Sequence, residues 1–296
     1  MRKLIAAGVV ISSTMLSPAL AADLPVKAKP VPVYSWTGWY VGANAGYGWQ
    51  DKNATYTGDR PADFVNLIGP GAGTLFTDGL AEASLQGTAA NQPYRQRLKP
   101  SGFTGGGQLG YNWQIDRNWV AGFETDLQYA NAKSDALFNA PDQGGVTLSA
   151  ASSHQLEWFG TLRGRIGYLI TDRFLAFGTG GLAYGGTKSQ AAISIIGPVG
   201  WNITTAGGFS SQIVCNAFST CLAGASSRTS LGWTAGGGLE YAVLPNVTIK
   251  GEYLHIDLGD QNLQLTVQSP ITGNGYVNAK FSNAYDIVRA GMNFRF

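Results

Sequence analysis

The chain has 296 residues, 41 of them glycine, with 11% aromatic and only 13% charged side chains. Its 20 Lys+Arg and 18 Asp+Glu become 18 of each once Arg2 and Lys3 are set aside, a balance that excludes the basic surface a nucleic-acid partner needs. Two cysteines and two histidines leave little material for a metal centre or a nucleophile–base pair.

Taken in chain order, Arg2 and Lys3 precede an apolar run from Leu4 to Leu16, and Ala19-Leu20-Ala21 follows it. That is a secretory signal of residues 1–21, cut after Ala21. The run is too short for a spanning helix, which needs about 20 apolar residues, and no later segment reaches that length. Residues 22–36 hold three prolines and two lysines, the composition of an extended tail.

From Thr37 onward the chain alternates. A strand turns successive side chains to opposite faces, so a two-residue period marks a half-buried strand. The first segment, Thr37 to Trp49, puts Trp39, Val41, Ala43, Ala45, Tyr47 and Trp49 on one face. The second, Phe103 to Ile115, sets Phe103, Leu109, Tyr111 and Trp113 against Thr104, Gln108 and Asn112. The third, Trp119 to Tyr129, sets Phe123 and Leu127 against Glu124, Asp126 and Gln128. The fourth, Leu156 to Ile170, sets Leu156, Trp158, Leu162 and Ile166 against Glu157, Thr161, Arg163 and Arg165. The fifth, Phe174 to Gly185, is apolar and glycine-rich on both faces and has no readable register. The sixth, Leu231 to Val243, sets Trp233, Leu239 and Tyr241 against Thr234 and Glu240. The seventh, Val247 to Asp257, sets Val247, Ile249 and Tyr253 against Thr248, Lys250 and Glu252. The last, A-Y-D-I-V-R-A-G-M-N-F-R-F, sets Val288, Ala290, Met292, Phe294 and Phe296 against Arg289, Asn293 and Arg295.

An apolar outer face that ends the chain on an aromatic suits a strand closing a membrane barrel. Phe296 and Phe294 are the expected assembly signal, because this ending resembles the C-terminal mark of Gram-negative outer-membrane barrels. The connections agree. Three are tight turns, at 116–118, 171–173 and 244–246, and four are long, at 50–102, 130–155, 186–230 and 258–282. Outer-membrane barrels have short periplasmic turns and long extracellular loops. The expected fold is therefore all-β: an eight-stranded antiparallel transmembrane barrel over residues 37–296. Both termini fall in the periplasm. Trp39, Trp113, Trp119, Tyr168, Phe174 and Phe296 make the inner aromatic girdle, and Trp49, Phe103, Tyr129, Trp158 and Trp233 the outer one.

The opposite faces point into the lumen. They carry Glu124, Asp126, Glu157, Arg163, Arg165, Glu240, Lys250, Glu252, Arg289 and Arg295. Side chains fill the interior of an eight-stranded barrel. Buried charges need partners, so these five acids and five bases are expected to form a balanced network. A structural plug is the first expectation, and a narrow path for ions or small solutes the alternative.

Other chemistry is weak. His154 and His255 fall near outer strand ends, where a solvated rim histidine is the plain expectation. His255 shares a face with Asp257, so a barrel enzyme acting on lipid or protein is a distant third reading. Gly105-Gly106-Gly107 with Gly110 precedes a strand rather than a helix, so it is no phosphate loop. Cys215 and Cys221 sit in one long loop and are expected to form a local disulfide. No cofactor, metal or catalytic residue is expected.

A family resemblance covers most of the strands. Y-S-W-T-G-W-Y-V-G-A-N-A-G-Y-G-W, F-T-G-G-G-Q-L-G-Y-N-W-Q, W-F-G-T-L-R-G-R-I-G-Y, L-G-W-T-A-G-G-G-L-E-Y and V-R-A-G-M-N-F-R-F resemble the small outer-membrane immunogenic barrels of alphaproteobacteria. The resemblance implies an abundant eight-stranded surface protein, often grouped with porins, that supports envelope integrity and acts as a surface antigen. Some members are reported to bind haem, and no residue pattern here marks a haem site. The expected location is the outer membrane. The expected partners are outer-membrane lipid and lipopolysaccharide, the barrel-assembly machinery and, as a further candidate, peptidoglycan.

Overall fold

A computed structural model describes residues 34–58, 94–139, 147–196, 202–204, 214–216, 219–268 and 276–296. The expected signal peptide and most of the Pro-rich tail lie outside them, as do the side chains of Cys215 and Cys221. Tyr34 to Phe296 is one compact unit.

The unit is antiparallel β throughout. Its strands are β1 (Gly38–Trp49), β2 (Lys52–Gly58), β3 (Tyr94–Leu98), β4 (Ser101–Gln114), β5 (Trp119–Asn139), β6 (Thr147–Thr171) and β7 (Phe174–Ile196), then β8 (Asn202–Thr204), β9 (Val214–Asn216), β10 (Ser219–Leu244), β11 (Val247–Val267) and β12 (Tyr276–Arg295). Strands β8 and β9 pair only with each other. The main sheet has ten strands, not the eight expected. Eight of them close the ring in the order β1-β4-β5-β6-β7-β10-β11-β12, and β12 returns to β1 through Tyr40↔Arg295 to Trp49↔Asp286. The other two, β2 and β3, form a hairpin that continues β1 and β4 outward, with β2 paired to the outer end of β12. Gln50 N donates to Pro100 O at 2.9 Å and holds the break between the two levels.

The stretches expected as three of the long loops are largely strand. Strand β5 runs ten residues past Tyr129, β6 begins nine before Leu156, and β7, β10, β11 and β12 extend likewise. A strand needs ~9–11 residues to cross a bilayer. Trp119 to Tyr129 supplies that span, so the remainder stands outside it. In β5, β6 and β7 the outer stretches are rich in alanine and small polar residues, so the hydrophobic period that marks a strand is faint there, whereas in β11 Leu263 and Leu265 do alternate with Gln264 and Thr266.

Bulges displace the alternation, three of them close to the outer girdle. Pairing shifts between Tyr129 and Ala132, between Leu156 and Trp158, and between Asp257 and Asp260. At the last, Gly259 takes φ +75°, a left-handed backbone that favours glycine. Its N–H donates to Asp257 Oδ1 at 2.8 Å, and its carbonyl accepts from Asn283 Nδ2 at 2.8 Å. The extra residue in β6 turns Leu156 inward and Glu157 outward, the reverse of the sequence-based assignment.

The outer wall at membrane level is apolar, with Trp39, Trp113, Trp119, Phe123, Leu127, Leu162, Ile166, Met292 and Phe294 all exposed. Lipid is the solvent this surface suits. Aromatics border it on both sides. Trp119 meets Tyr168 edge-on at 5.3 Å in the inner girdle, and Tyr129, Trp233 and Phe103 stand exposed in the outer one.

Candidate functional site in the barrel interior and at the outer rim

The interior is packed in layers. At the periplasmic mouth the last tail residues turn under the barrel. Trp36 is 0% exposed against Val120, Leu169, Leu175 and Ala242. Its backbone N–H donates to Gln114 Oε1 at 3.0 Å, and its indole Nε1 donates to the Asp172 carbonyl at 3.1 Å. Arg295 lies 4.8 Å over the Tyr34 ring and donates from Nη2 to Thr37 O at 3.0 Å. It belongs to this cork, and no ion pair to it occurs among the described residues.

Above the cork lie four acids and four bases: Glu124, Asp126, Glu240 and Glu252 with Arg163, Arg165, Lys250 and Arg289. None is more than 4% exposed. Arg163 is the hub. It donates from Nη1 to Glu252 at 3.0 Å and from Nη2 to Asp126 at 2.9 Å, and it pairs with Glu124. Arg289 bridges Glu252 at 2.7 Å and Asp126 at 2.8 Å. Lys250 reaches Glu124 at 2.8 Å and Glu252 at 3.0 Å. Lower down, Arg165 pairs with Glu240 and stacks 4.0 Å over Phe177. Lys250 stands directly opposite Glu240 in the ladder, yet it pairs upward with Glu124. Tyr40 ties the two levels, donating its hydroxyl to Glu124 at 2.7 Å. That phenol fits because Gly110 lies beneath it: a Cβ there would sit 2.3 Å from the Tyr40 oxygen.

Glu157 is not part of this network. The bulge in β6 turns it to the outer surface, where it meets Lys188 at 2.6 Å with 30% of its side chain exposed.

A second closure follows. Leu156, Phe159, Leu254, Ile256, Leu258 and Ile287 meet as a buried apolar layer. Above it, four residues beyond Trp158, comes His154. It is 1% exposed rather than a solvated rim residue. Its ring stacks on Phe281 at 5.4 Å. Its Nε2 is 2.9 Å from the Tyr285 hydroxyl, and its Nδ1 is 2.9 Å from Ser189 Oγ. Ser189 donates to Gln261 Oε1 at 3.1 Å, and Thr187 does so at 3.2 Å. A phenol of ordinary pKa ~10 is protonated and donates. One direction then satisfies the whole chain: Tyr285 O–H to Nε2, Nδ1–H to Ser189, Ser189 to Gln261. In that sense Ser189 accepts from the imidazole, the reverse of what a nucleophile needs. Burial lowers the His154 pKa to about 4, so the ring is neutral at physiological pH.

His255 lies on the outer wall. It bonds Asp286 Oδ1 at 2.8 Å on the neighbouring strand, not Asp257 as its spacing suggests. Tyr253 donates to the same oxygen at 2.6 Å, and Trp233 packs at 5.4 Å.

The charge network therefore collects eight of the ten residues expected in the lumen, with Arg295 in the cork and Glu157 on the outer surface. Sequence patterning missed Trp36, Tyr40 and the His154 chain. Tyr-Ser-Trp before the first strand was the signal for the cork. Nothing local links His154 to Ser189, Gln261 and Tyr285, which lie on three other strands.

A closed antiparallel ring with an apolar belt between two aromatic girdles defines an integral outer-membrane β-barrel with a filled interior. The chain belongs to the outer membrane protein beta-barrel domain family, whose model matches residues 10–283. It is 33% identical over 292 residues to the 31 kDa outer-membrane immunogenic protein of Brucella melitensis, covering 97% of each chain. It is 28% identical over 195 residues to the 22 kDa outer membrane protein of Rhizobium leguminosarum bv. viciae, covering 64% of this chain and 66% of that one. The crystal structure of OprG from Pseudomonas aeruginosa aligns with a TM-score of 0.40 at 11% identity, over 90% of this chain and 100% of that one. The protein is thus an outer-membrane β-barrel related to immunogenic surface proteins.

Proposed function

We propose that this barrel is a non-conducting, non-enzymatic structural protein of the outer membrane. It reinforces the envelope and carries its outer segments as a surface antigen. The observation that carries this reading is the interior, closed in series by the Trp36 cork, by eight mutually paired charges and by an apolar layer. An unpaired charge inside a barrel would be hydrated and could pass ions, whereas a charge held by two or three counter-ions is a strut. Ser189, His154 and Tyr285 are 0%, 1% and 0% exposed, which supports the absence of catalysis in that chain. Lipopolysaccharide, peptidoglycan and the barrel-assembly machinery are the partners this reading assigns.

Conductance of the refolded barrel in a planar lipid bilayer tests it. The expected result is a fully folded, heat-modifiable barrel with no steady current. A steady current altered by neutralising Arg163 would replace the plug with a narrow charged pore.

A further inference from the structure

Just beyond the outer girdle, the wall is cationic on one side only. Strand β3 and the residue after it read Arg95-Gln96-Arg97-Leu98-Lys99, an alternation that buries Gln96 and Leu98 and leaves Arg95, Arg97 and Lys99 exposed. Lys52 on β2 and Lys133 on β5 are exposed on either side. Three acids share this sector among the described residues, the third being Asp286, opposite Trp49 in the ladder and close enough to Lys52 to feel its charge. Asp51 holds Arg97 at 2.6 Å and lies 3.8 Å from Lys99, and Asp135 holds Lys133 at 3.0 Å. Among the described residues five bases against three acids leave a net of +2, and the adjoining Lys280–Asp260 pair is neutral. Lys52 and Arg95 make no ion pair among the described residues. The hydrogen bond from Arg97 keeps the Asp51 carboxyl below the usual range, so this sector does not lose its acids near neutral pH. Elsewhere among the described residues the outer bases, Arg228 apart, are matched by acids, as Lys188 is by Glu157.

Height decides the ligand. Lys52 lies three residues past Trp49, Lys99 four before Phe103, and Lys133 four past Tyr129, all three aromatics being in the outer girdle. At ~3.3 Å per residue and a tilt of ~40°, these ammonium groups leave the wall ~8–10 Å above the girdle. A headgroup layer is ~5–8 Å deep on each side of the hydrocarbon core. Long basic side chains also bend toward such a layer, keeping the stem on apolar surface and the charge at the phosphates. Arg95 and Arg97 reach further out, and guanidinium matches phosphate with two parallel hydrogen bonds.

We propose that the outward face of the β2–β3 hairpin, with Lys99 and Lys133, is a binding site for the phosphate groups of an outer-leaflet glycolipid. It rests on the lipopolysaccharide partnership assigned above and locates it. The lipid contact is therefore one-sided and orients the barrel relative to neighbouring glycolipid.

The test uses the full-length barrel in detergent, titrated with bis-phosphorylated lipid A and followed by native mass spectrometry. The variant Lys52→Gln/Arg95→Gln/Lys99→Gln leaves the Arg97–Asp51 pair in place. Lys188→Gln is the control on the balanced side, and heat-modifiable migration confirms that each barrel is folded. At least a tenfold loss of lipid A binding in the triple variant is expected. The control should keep its affinity, and dephosphorylated lipid A should bind wild type no better than the triple variant. Equal loss in both variants, or equal binding of dephosphorylated lipid, overturns the site. So does a preference for soluble polyphosphate over lipid A. None of these outcomes bears on conductance, so a silent barrel without this site and a conducting barrel with it are distinguishable.

Discussion

Arg163 shows how much one side chain carries in this protein. Three carboxylates converge on its guanidinium, and all four side chains are buried, so its removal strands buried negative charges. Arg163→Gln should lower the unfolding free energy by about 3–5 kcal/mol, the usual consequence of breaking a buried pair from one side. Urea unfolding followed by tryptophan fluorescence reads this directly, and a change under about 1 kcal/mol would contradict the hub role. His154 gives a prediction with a sign. Among the described residues no charged side chain is bonded to it, and its neighbours are Ser189, Tyr285, Phe281 and Asn283. Its folded pKa of about 4 lies below the ordinary ~6.5, so the unfolded chain takes up the proton first as pH falls. Stability from this group is complete above about pH 6.5 and is lost on acidification toward pH 4. The loss is on the order of 3 kcal/mol. His154→Gln should flatten that part of the pH–stability curve; an unchanged slope would mean that another group sets it. Neither role is visible locally. Arg163 was assigned to the lumen from alternation alone, but its three partners come from two other strands.

At the scale of elements, bulges and the cork matter most. The period of two identified the membrane-level half of nearly every strand, because lipid on one side and a polar lumen on the other enforce strict alternation there. It failed where a bulge adds a residue, and that failure put Glu157 in the lumen and Leu156 outside. Gly259 holds the corresponding bulge in β11 at positive φ. Gly259→Val should therefore destabilise the outer half of the barrel by about 1–3 kcal/mol without unfolding the membrane-level half. Faster hydrogen exchange in β11 above Asp257, with protection kept below it, is the expected signature. Tyr34, Ser35 and Trp36 read as tail in sequence, yet Trp36 is wholly buried. Trp36→Ala should loosen the turn at Asp172, which the indole now caps, and cost about 3–5 kcal/mol as a buried aromatic truncation. Unaltered exchange at Leu169 and Leu175 in that variant would argue that the cork is not structural.

For the whole molecule, closure governs. Each strand's edge is covered by the next, and β12 returns to β1, so no edge remains open at membrane level. Phe294 and Phe296 stand exposed at the end of that closing strand, consistent with a role as a handle during assembly. Deleting Phe296 should reduce the amount of heat-modifiable barrel in the outer membrane several-fold while leaving the stability of correctly folded molecules within about 0.5 kcal/mol. Quantitative blotting of unheated samples together with urea unfolding separates the two effects. By itself the amino-acid sequence determined the all-β class, the membrane-level strands and most of the charged residues that face the interior. Each of these is imposed residue by residue by the contrast between lipid, lumen and water. Only the tertiary structure decided which acid meets which base, that Trp36 closes the inner mouth, that the outer strands continue far beyond the bilayer, and that His154 is buried. Those features depend on bulge-shifted register and on side chains crossing the barrel from strands distant in sequence, and local patterning carries no record of either.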